Sequence, residues 1–258
     1  MMRFLRRLRL PLFVSGVYAL LYLPIVVLII FSFNGSTDSH TWGGWTLRWF
    51  AELFRTPEIW VVVKHSLIVA FSAMALSLVF GVMIVCSLKE RLDRFASLFY
   101  IPILVPEIIL AVGFLYLFSF LKVPLGLQTL IVAHTLLGLA FSVPLLHARL
   151  AEMNAYSVEA SLDLGATKWQ TFLYVVLPFL RPALVSVGSL AWILSFDDFL
   201  IAFFCAGSSS QTLPLYIYSR VHVGVTPVIN ALSTFTLLVS CSLVILYSVL
   251  RVRLKEII

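Results

Sequence analysis

Three acidic side chains lie inside apolar stretches of this sequence and are its best candidates for chemistry. Glu107 follows Pro106, and Asp197 and Asp198 are neighbours in a later stretch. An ionisable group in hydrocarbon costs about 2.5–3.5 kcal/mol on insertion scales, so such groups usually mark a transport pathway. The apolar stretches contain no Lys or Arg that could pair with these acids. A negatively lined passage would suit a cationic solute.

The two aspartates should face different surroundings, because neighbours on a helix point about 100° apart. Steps of three and four residues from Asp198 give small or polar residues: Gly188, Ala191, Ser195, Ala202 and Cys205. The same steps from Asp197 give bulky apolar residues: Val187, Leu190, Leu194, Ile201 and Phe204. Small-residue stripes face other helices or a cavity. Asp198 is therefore predicted to line the pathway, and Asp197 to hydrogen-bond to a neighbouring helix.

A structural role is the alternative for all three acids. Asp197 and Asp198 could cap or lock a helix break near the outer surface. Glu107 could satisfy a backbone group that Pro106 frees at a kink. Lone histidines in or beside a span, at His134 and His147, are expected to be packing residues.

The elements that carry these acids must cross a membrane. Apolar residues make up 61% of the 258 residues and charged residues 12%, against about 25% charged in soluble domains. A span needs about 20 apolar residues. The sequence predicts an all-α, multi-pass membrane protein with a single transmembrane domain, 1–258. Its six predicted spans are 12–33, 66–88, 95–121, 129–147, 183–205 and 231–250.

The distribution of basic residues predicts the orientation. With the N-terminus inside, thirteen of the 18 Lys and Arg residues fall in cytoplasmic segments and five in outer segments. Cytoplasmic loops carry such an excess, so both termini are expected to be cytoplasmic. The net charge of +6 is thereby explained by membrane topology, and nucleic-acid binding is not expected.

The long cytoplasmic segment, 149–181, has the signals of a helix, a turn and a second helix. Ser157 is a candidate N-cap, with Glu159 in the first turn. Gly165 should end the first helix, because glycine tolerates the left-handed conformation. Thr167 and Gln170 fit a capping box that begins the second helix. Pro178 and Pro182 are expected to break or kink the chain before the next span.

This segment resembles the EAA signature of the permease subunits of binding-protein-dependent ABC importers. The matching residues are Glu159, Ala160, Ser161, Gly165, Ala166, Phe172, Leu177 and Pro178, with Ser161 in place of the second alanine. The resemblance implies the type I ABC importer permease fold and a coupling helix over 159–165, including Asp163, that docks on an ATPase. It further implies an ABC ATPase dimer, a second permease subunit in a heterodimer, an extracytoplasmic solute-binding protein, and the bacterial inner membrane.

Further motifs are similar to those of spermidine/putrescine importer permeases. They are Ser195–Phe199, 213–219 and 223–227, followed by Asn230, Ala231 and Leu232. The pattern departs from that family at Val228, where relatives carry an acidic residue. The resemblance implies a polyamine as the solute. Permeases for aminophosphonates, thiamine or ferric iron share the architecture and are the alternatives.

The chain is expected to be non-catalytic and to bind no cofactor or metal itself. It contains no GxxxxGK[ST] sequence, so ATP and Mg²⁺ should bind a separate ATPase subunit. An intramembrane hydrolase would need a motif such as GxSxG or HExxH, which the sequence lacks. A secondary transporter often has repeated halves, and we find no internal repeat. The cysteines, Cys86, Cys205 and Cys241, stand singly and indicate neither a disulfide nor a zinc site.

Overall fold

The computed structural model describes residues 2–37, 41–88, 92–224 and 226–257. Lys89, Arg91 and Val225, which the sequence analysis used, lie outside this range. The described part is helical and has no strand, with one isolated bridge between Asn34 and Trp45. The helices are α1 (Met2–Ser32), α2 (Arg48–Arg55), α3 (Pro57–Leu88), α4 (Leu92–Leu104), α5 (Glu107–Phe120), α6 (Leu127–Ala151), α7 (Ala155–Asp163), α8 (Lys168–Thr171), α9 (Leu177–Phe196), α10 (Leu200–Cys205), α11 (Leu213–Val223) and α12 (Pro227–Ile257).

The chain divides into two compact units. The first comprises Met1–Ile59 and Ile217–Ile258, in which α12 packs against α1 and α2. Its loop after α1 is organised by Asn34, whose amide donates to the Thr41 carbonyl at 2.6 Å and accepts from the Gly43 amide at 2.7 Å. The Trp49 indole donates to the Asn34 carbonyl at 2.6 Å, which ties α2 to this loop.

The second unit, Trp60–Tyr216, contains both candidate sites. One part of its core lies where α5, α6 and α10 meet, around Ala111, Leu130 and Ile201. Another lies among α3, α6 and α9, around Val85, Leu146 and Leu180. All six of these side chains are completely or almost completely buried. The apolar residues that do not enter these clusters are largely exposed in this chain, as expected for helices that face lipid.

Small residues bring the helices of the second unit close together. A Cβ atom on Gly138 of α6 would lie 2.2 Å from the Ser77 Oγ of α3. The hydroxyl of Ser77 donates to the Thr135 carbonyl at 3.1 Å, and that of Ser142 donates to the Ser77 carbonyl at 3.2 Å. Such small-residue contacts with interhelical hydrogen bonds are typical of membrane helices, because lipid supplies no hydrophobic drive for their association.

Each of the six predicted regions contains apolar helix, but fewer than six helices of the described part are long enough to cross a membrane. Four helices in the described part are long and apolar enough to cross a membrane: Phe13–Ser32, Pro57–Leu88, Leu127–Ala151 and Lys168–Phe196. The bent pair Leu98–Leu104 and Glu107–Phe120 would make a fifth, and the shorter apolar helix Pro227–Ser242 lies in the region of the sixth prediction.

The predicted span 95–121 is strongly bent, since a bend of 115° separates α4 from α5 around Val105 and Pro106. A proline disfavours helical conformation in the residue before it, which places the bend at the proline kink that the sequence suggested. The predicted span 183–205 is not one continuous helix. It ends at Phe196, passes through a non-helical stretch at Asp197–Phe199, and resumes as the short α10.

Candidate functional site

The first candidate site is the segment between α6 and α9, and its helix α7 begins earlier than predicted. The N-cap is Asn154, whose side chain accepts a hydrogen bond from the Tyr156 amide at 3.1 Å. The prediction of Ser157 as the cap was wrong, and Glu159 consequently lies past the first turn. Asparagine and serine are comparable N-caps, so the choice between two nearby candidates could not be read from the sequence.

The glycine turn at the end of α7 is confirmed. Gly165 has a φ of +85°, in the left-handed region that disfavours side chains with a Cβ. The Ala166 amide donates to the Ser161 carbonyl at 3.1 Å, and the Gly165 amide to the Leu162 carbonyl at 2.9 Å. These two bonds make a Schellman motif, which satisfies the last carbonyls of α7.

The helix that follows also begins as predicted. The Gln170 amide donates to Thr167 Oγ1 at 3.2 Å, and the Thr167 amide donates to Gln170 Oε1 at 2.8 Å. The prolines, however, do not break the chain. A π-helical turn, Phe172–Val176, joins α8 to α9, so that Pro178 lies in the first turn of α9 and Pro182 within it.

The loop presents an exposed surface. Glu159, Ala160, Asp163 and Gly165 are exposed, and Ala166 is partly buried. Ser161 is also partly buried, and its hydroxyl lies 3.0 Å from that of Thr171, which joins the two helices of the segment. Large apolar side chains project beside them: Tyr156 is 75% exposed, Leu164 89% and Trp169 66%. Exposed large apolar side chains on one short segment are typical of a protein-binding surface.

A mostly apolar cavity of about 480 Å³ lies behind this surface. Val158, Leu162 and Thr171 line it from the loop, and Cys86 and Leu150 line it from the ends of α3 and α6. The loop therefore contacts the ends of these long helices without filling the space between them.

The second candidate site is a polar cluster at the break after α9. Asp198 is 6% exposed and follows the end of α9. Its Oδ1 accepts from the Ile201 amide at 3.3 Å and its Oδ2 from the Ala202 amide at 3.0 Å. Both bonds go to the first turn of α10, whose amides have no partner within the helix. Asp198 therefore holds the start of α10.

A buried histidine faces this aspartate. His134 Nε2 of α6 lies 3.3 Å from Asp198 Oδ2, and both side chains are 1% exposed. His134 Nδ1 lies 2.6 Å from Ser195 Oγ, near the end of α9. The imidazole thus contacts the end of α9 and the break that follows it.

The start of α5 lies near the same aspartate. Glu107 is the first residue of α5, and its carboxyl is close enough to that of Asp198 for the two to interact electrostatically. The helices pack together here, since α5 lies against α10 and Cys205 Sγ is 3.9 Å from the Ala111 carbonyl. Unlike Asp198, Glu107 is exposed in this chain.

The two aspartates have different surroundings. The helical stripe that favoured Asp198 as a pathway residue is interrupted, because the helix ends at Phe196. Asp198 is buried and accepts hydrogen bonds from the first turn of α10, whereas Asp197 is exposed. The position of Asp198 agrees with the alternative role, in which the side chain locks a helix break. The pathway role of the three acids stays a prediction.

The contact between His134 and Asp198 was not predicted from the sequence, because only Lys and Arg were considered as partners of the acids and His134 was interpreted as a packing residue. A histidine that occurs in the middle of an apolar stretch, in a chain with unpaired intramembrane acids, was the available signal. In the part of the chain that the structure describes, no three His, Cys, Asp or Glu side chains are placed to hold a metal ion.

Comparison with known proteins identifies the class of protein. Residues 73–256 match the family described as the binding-protein-dependent transport system inner membrane component, and the chain belongs to this family. It is therefore a multi-pass permease subunit of the ABC importer type.

Individual relatives are transport permeases. The chain is 35% identical over 237 residues to the spermidine/putrescine transport system permease protein PotC of Escherichia coli (strain K12), covering 90% of each chain. It is 34% identical over 232 residues to the putrescine transport system permease protein PotI of the same organism, covering 85% of this chain and 82% of the relative. Its fold is similar to a chain of a bacterial ABC transporter involved in alginate import, with a TM-score of 0.72, 14% identity, and 96% and 95% coverage.

Proposed function

We propose that this chain forms, with a second permease subunit in a heterodimer, the membrane path of an ABC importer for polyamines such as spermidine or putrescine. The proposal of a polyamine as the solute rests on the 35% identity to PotC over 90% of both chains. The exposed acids Glu107 and Asp197 agree with a cationic solute. Together with Asp198, they mark the part of the chain that we propose borders the path.

Transport of a polyamine is tested with the assembled importer in proteoliposomes. We expect ATP-dependent uptake of labelled spermidine or putrescine when the solute-binding protein is present. Unlabelled aminophosphonate, thiamine and ferric iron are the competitors for the alternative solutes. Uptake that is blocked by one of these competitors, and not by polyamine, would assign the importer to that solute instead.

We further propose that α7 and the turn at Gly165 transmit the motion of a separate ATPase dimer. The supports are the exposed apolar residues Tyr156, Leu164 and Trp169 and the hydrogen-bonded turn that fixes α7 relative to α8. Hydrolysis of ATP belongs to the partner, which binds ATP and Mg²⁺, while this chain supplies only the contact surface.

The coupling role is tested by two substitutions of Gly165. Gly165→Val places a β-branched side chain at a φ of +85°, which costs of the order of 1–3 kcal/mol for a non-glycine residue. Gly165→Asn is the matched control, since asparagine tolerates this conformation. Gly165→Val should reduce both uptake and ATPase stimulation while the subunit still inserts in the membrane, and Gly165→Asn should retain most of both. Normal transport by Gly165→Val would contradict the coupling role.

Both termini and the segment 149–181 are proposed to be cytoplasmic, in a bacterial inner membrane. The basis is the thirteen-to-five distribution of basic residues. An extracytoplasmic solute-binding protein would then deliver the polyamine to the opposite side of the permease.

A further inference from the structure

The helix α10 is too short to satisfy its own backbone groups. It has six residues, Leu200–Cys205, whereas the first four N–H groups and the last four C=O groups of a helix have no partner within it. Water does not supply the missing partners, because Ile201, Ala202 and Cys205 are completely buried. Backbone groups at membrane depth must be satisfied inside the protein. The partners of α10 therefore come from other parts of the chain.

Asp198 supplies two partners at the start of α10. Its Oδ1 accepts from the Ile201 amide at 3.3 Å, and its Oδ2 accepts from the Ala202 amide at 3.0 Å. Asp198 is 6% exposed, and a buried carboxylate needs a polar group that compensates its lost hydration. The start of α10 thus depends on what holds this side chain.

The group that faces the carboxylate is His134 of α6. Its Nε2 lies 3.3 Å from Asp198 Oδ2 and makes no hydrogen bond of its own, so the contact is electrostatic. The other ring nitrogen, Nδ1, lies 2.6 Å from Ser195 Oγ, and this hydrogen bond fixes the orientation of the ring. An electrostatic contact is strong at such a buried place, because the local dielectric constant is low.

The same helix contacts the other end of α10. The hydroxyl of Thr129, which is 1% exposed, donates to the Cys205 carbonyl at 2.9 Å and shares its proton with the Gly126 carbonyl at 2.8 Å. The Cys205 carbonyl is one of the groups that α10 leaves without a partner. The helix α6 therefore reaches both ends of α10 with polar side chains.

We propose that α6 supports α10 at both ends, and that His134 and Thr129 are positioning residues of the importer. His134 holds Asp198, which begins α10, and Thr129 holds the carbonyl of Cys205, which ends it. Asp197 directly precedes Asp198 and is exposed, so this support also determines where the charge of Asp197 lies. The inference rests on the proposed function only in taking Asp197 as a residue that borders the path.

The test measures amide hydrogen exchange of α10 in the purified, assembled importer. His134→Leu removes both ring nitrogens, whereas His134→Gln keeps a polar group that can reach Asp198. We expect the α10 amides to exchange about tenfold faster in His134→Leu, because a buried acceptor loses a partner, and at nearly the wild-type rate in His134→Gln. Amides around Val85, in the other core cluster of this unit, are the control for general loosening. Unchanged exchange of α10 in His134→Leu, or equal acceleration around Val85, would overturn the proposal.

A second pair of substitutions tests the other end and decides the case in which His134→Leu does not assemble. Thr129→Val keeps the shape of the side chain and removes the hydroxyl, and Thr129→Ser keeps the hydroxyl. Exchange of α10 should rise in Thr129→Val and stay near that of the wild type in Thr129→Ser. Equal exchange in the two Thr129 variants would show that α6 does not hold this end.

Uptake of polyamine per assembled complex links the support to transport. It should fall in His134→Leu and be retained in His134→Gln. Asp197→Asn is the matched control, since it should reduce uptake and leave the exchange of α10 unchanged. Normal uptake by His134→Leu, with α10 exchanging faster, would show that α10 does not position the path. Hydrogen exchange does not depend on the solute, so failure of polyamine uptake in the wild type would contradict the proposed function and leave the support of α10 intact.

Discussion

Adjacent side chains at Asp197 and Asp198 have opposite environments, and this difference decides what each substitution should do. Each oxygen of Asp198 accepts a hydrogen bond from one backbone amide, and the side chain lies against His134. Asp197, in contrast, is exposed at the end of α9. A carboxylate buried with several donors cannot be replaced by an amide of the same size, because the amide has only one acceptor oxygen.

We therefore expect Asp198→Asn to act through assembly. The new NH₂ group would face either a backbone N–H or the imidazole, and leaving a buried donor unsatisfied in this way costs about 1–3 kcal/mol. The amount of complex recovered and its melting temperature should both fall. Asp197→Asn should leave both unchanged and reduce uptake per assembled complex. Equal recovery of the two variants would contradict the different environments of the two aspartates.

At the scale of the helices, glycine and serine decide how closely α3 and α6 approach. A Cβ atom on Gly138 would lie 2.2 Å from Ser77 Oγ and 2.9 Å from Ser77 Cβ, and no real side chain makes such contacts. Gly113 in α5 has nothing within 4 Å of the same position. The two glycines are both helical, but only Gly138 is required by its neighbours.

Gly138→Ala should consequently destabilise the protein, while Gly113→Ala should not. Overpacking a well-packed contact costs about 1–3 kcal/mol, which exceeds the gain in helix propensity of up to about 1 kcal/mol. Gly113→Ala gains the propensity alone and is the matched control. Thermal unfolding in detergent, followed by circular dichroism, measures both. A Gly138→Ala variant that melts at or above the wild-type temperature would show that α3 and α6 can separate without cost.

For the whole molecule, the distribution of basic residues predicts the orientation in the membrane. A reporter enzyme that is active only outside the cytoplasm, fused after Ile258, should be inactive. The same reporter inserted after Ser208, in the exposed turn that follows α10, should be active. Activity of the terminal fusion would mean an odd number of spans, and an inactive Ser208 insertion would mean that the α10–α11 connection is not on the outer side.

Local features of this protein could be predicted from the sequence because their causes lie within a few residues. The six apolar regions follow from composition, since helix length must match the thickness of the membrane. The turn at Gly165 and the capping box of Thr167 and Gln170 follow from backbone groups that neighbouring residues satisfy. The family could be recognised for the same reason, because its signature occupies this one loop.

Only the tertiary structure decided what holds the interruptions of the long helices. His134 and Ser195 are 61 positions apart, and Asp198, which His134 also contacts, lies in the break after α9. No local rule predicts which donors a buried carboxylate will find across such distances, because the partners are chosen by packing. Periodicity also fails here, since it assumes one continuous helix, and the helix that carried the prediction for Asp198 ends two residues before it. The sequence by itself therefore determined that intramembrane acids exist, and the fold determined that Asp198 is buried while Asp197 is exposed.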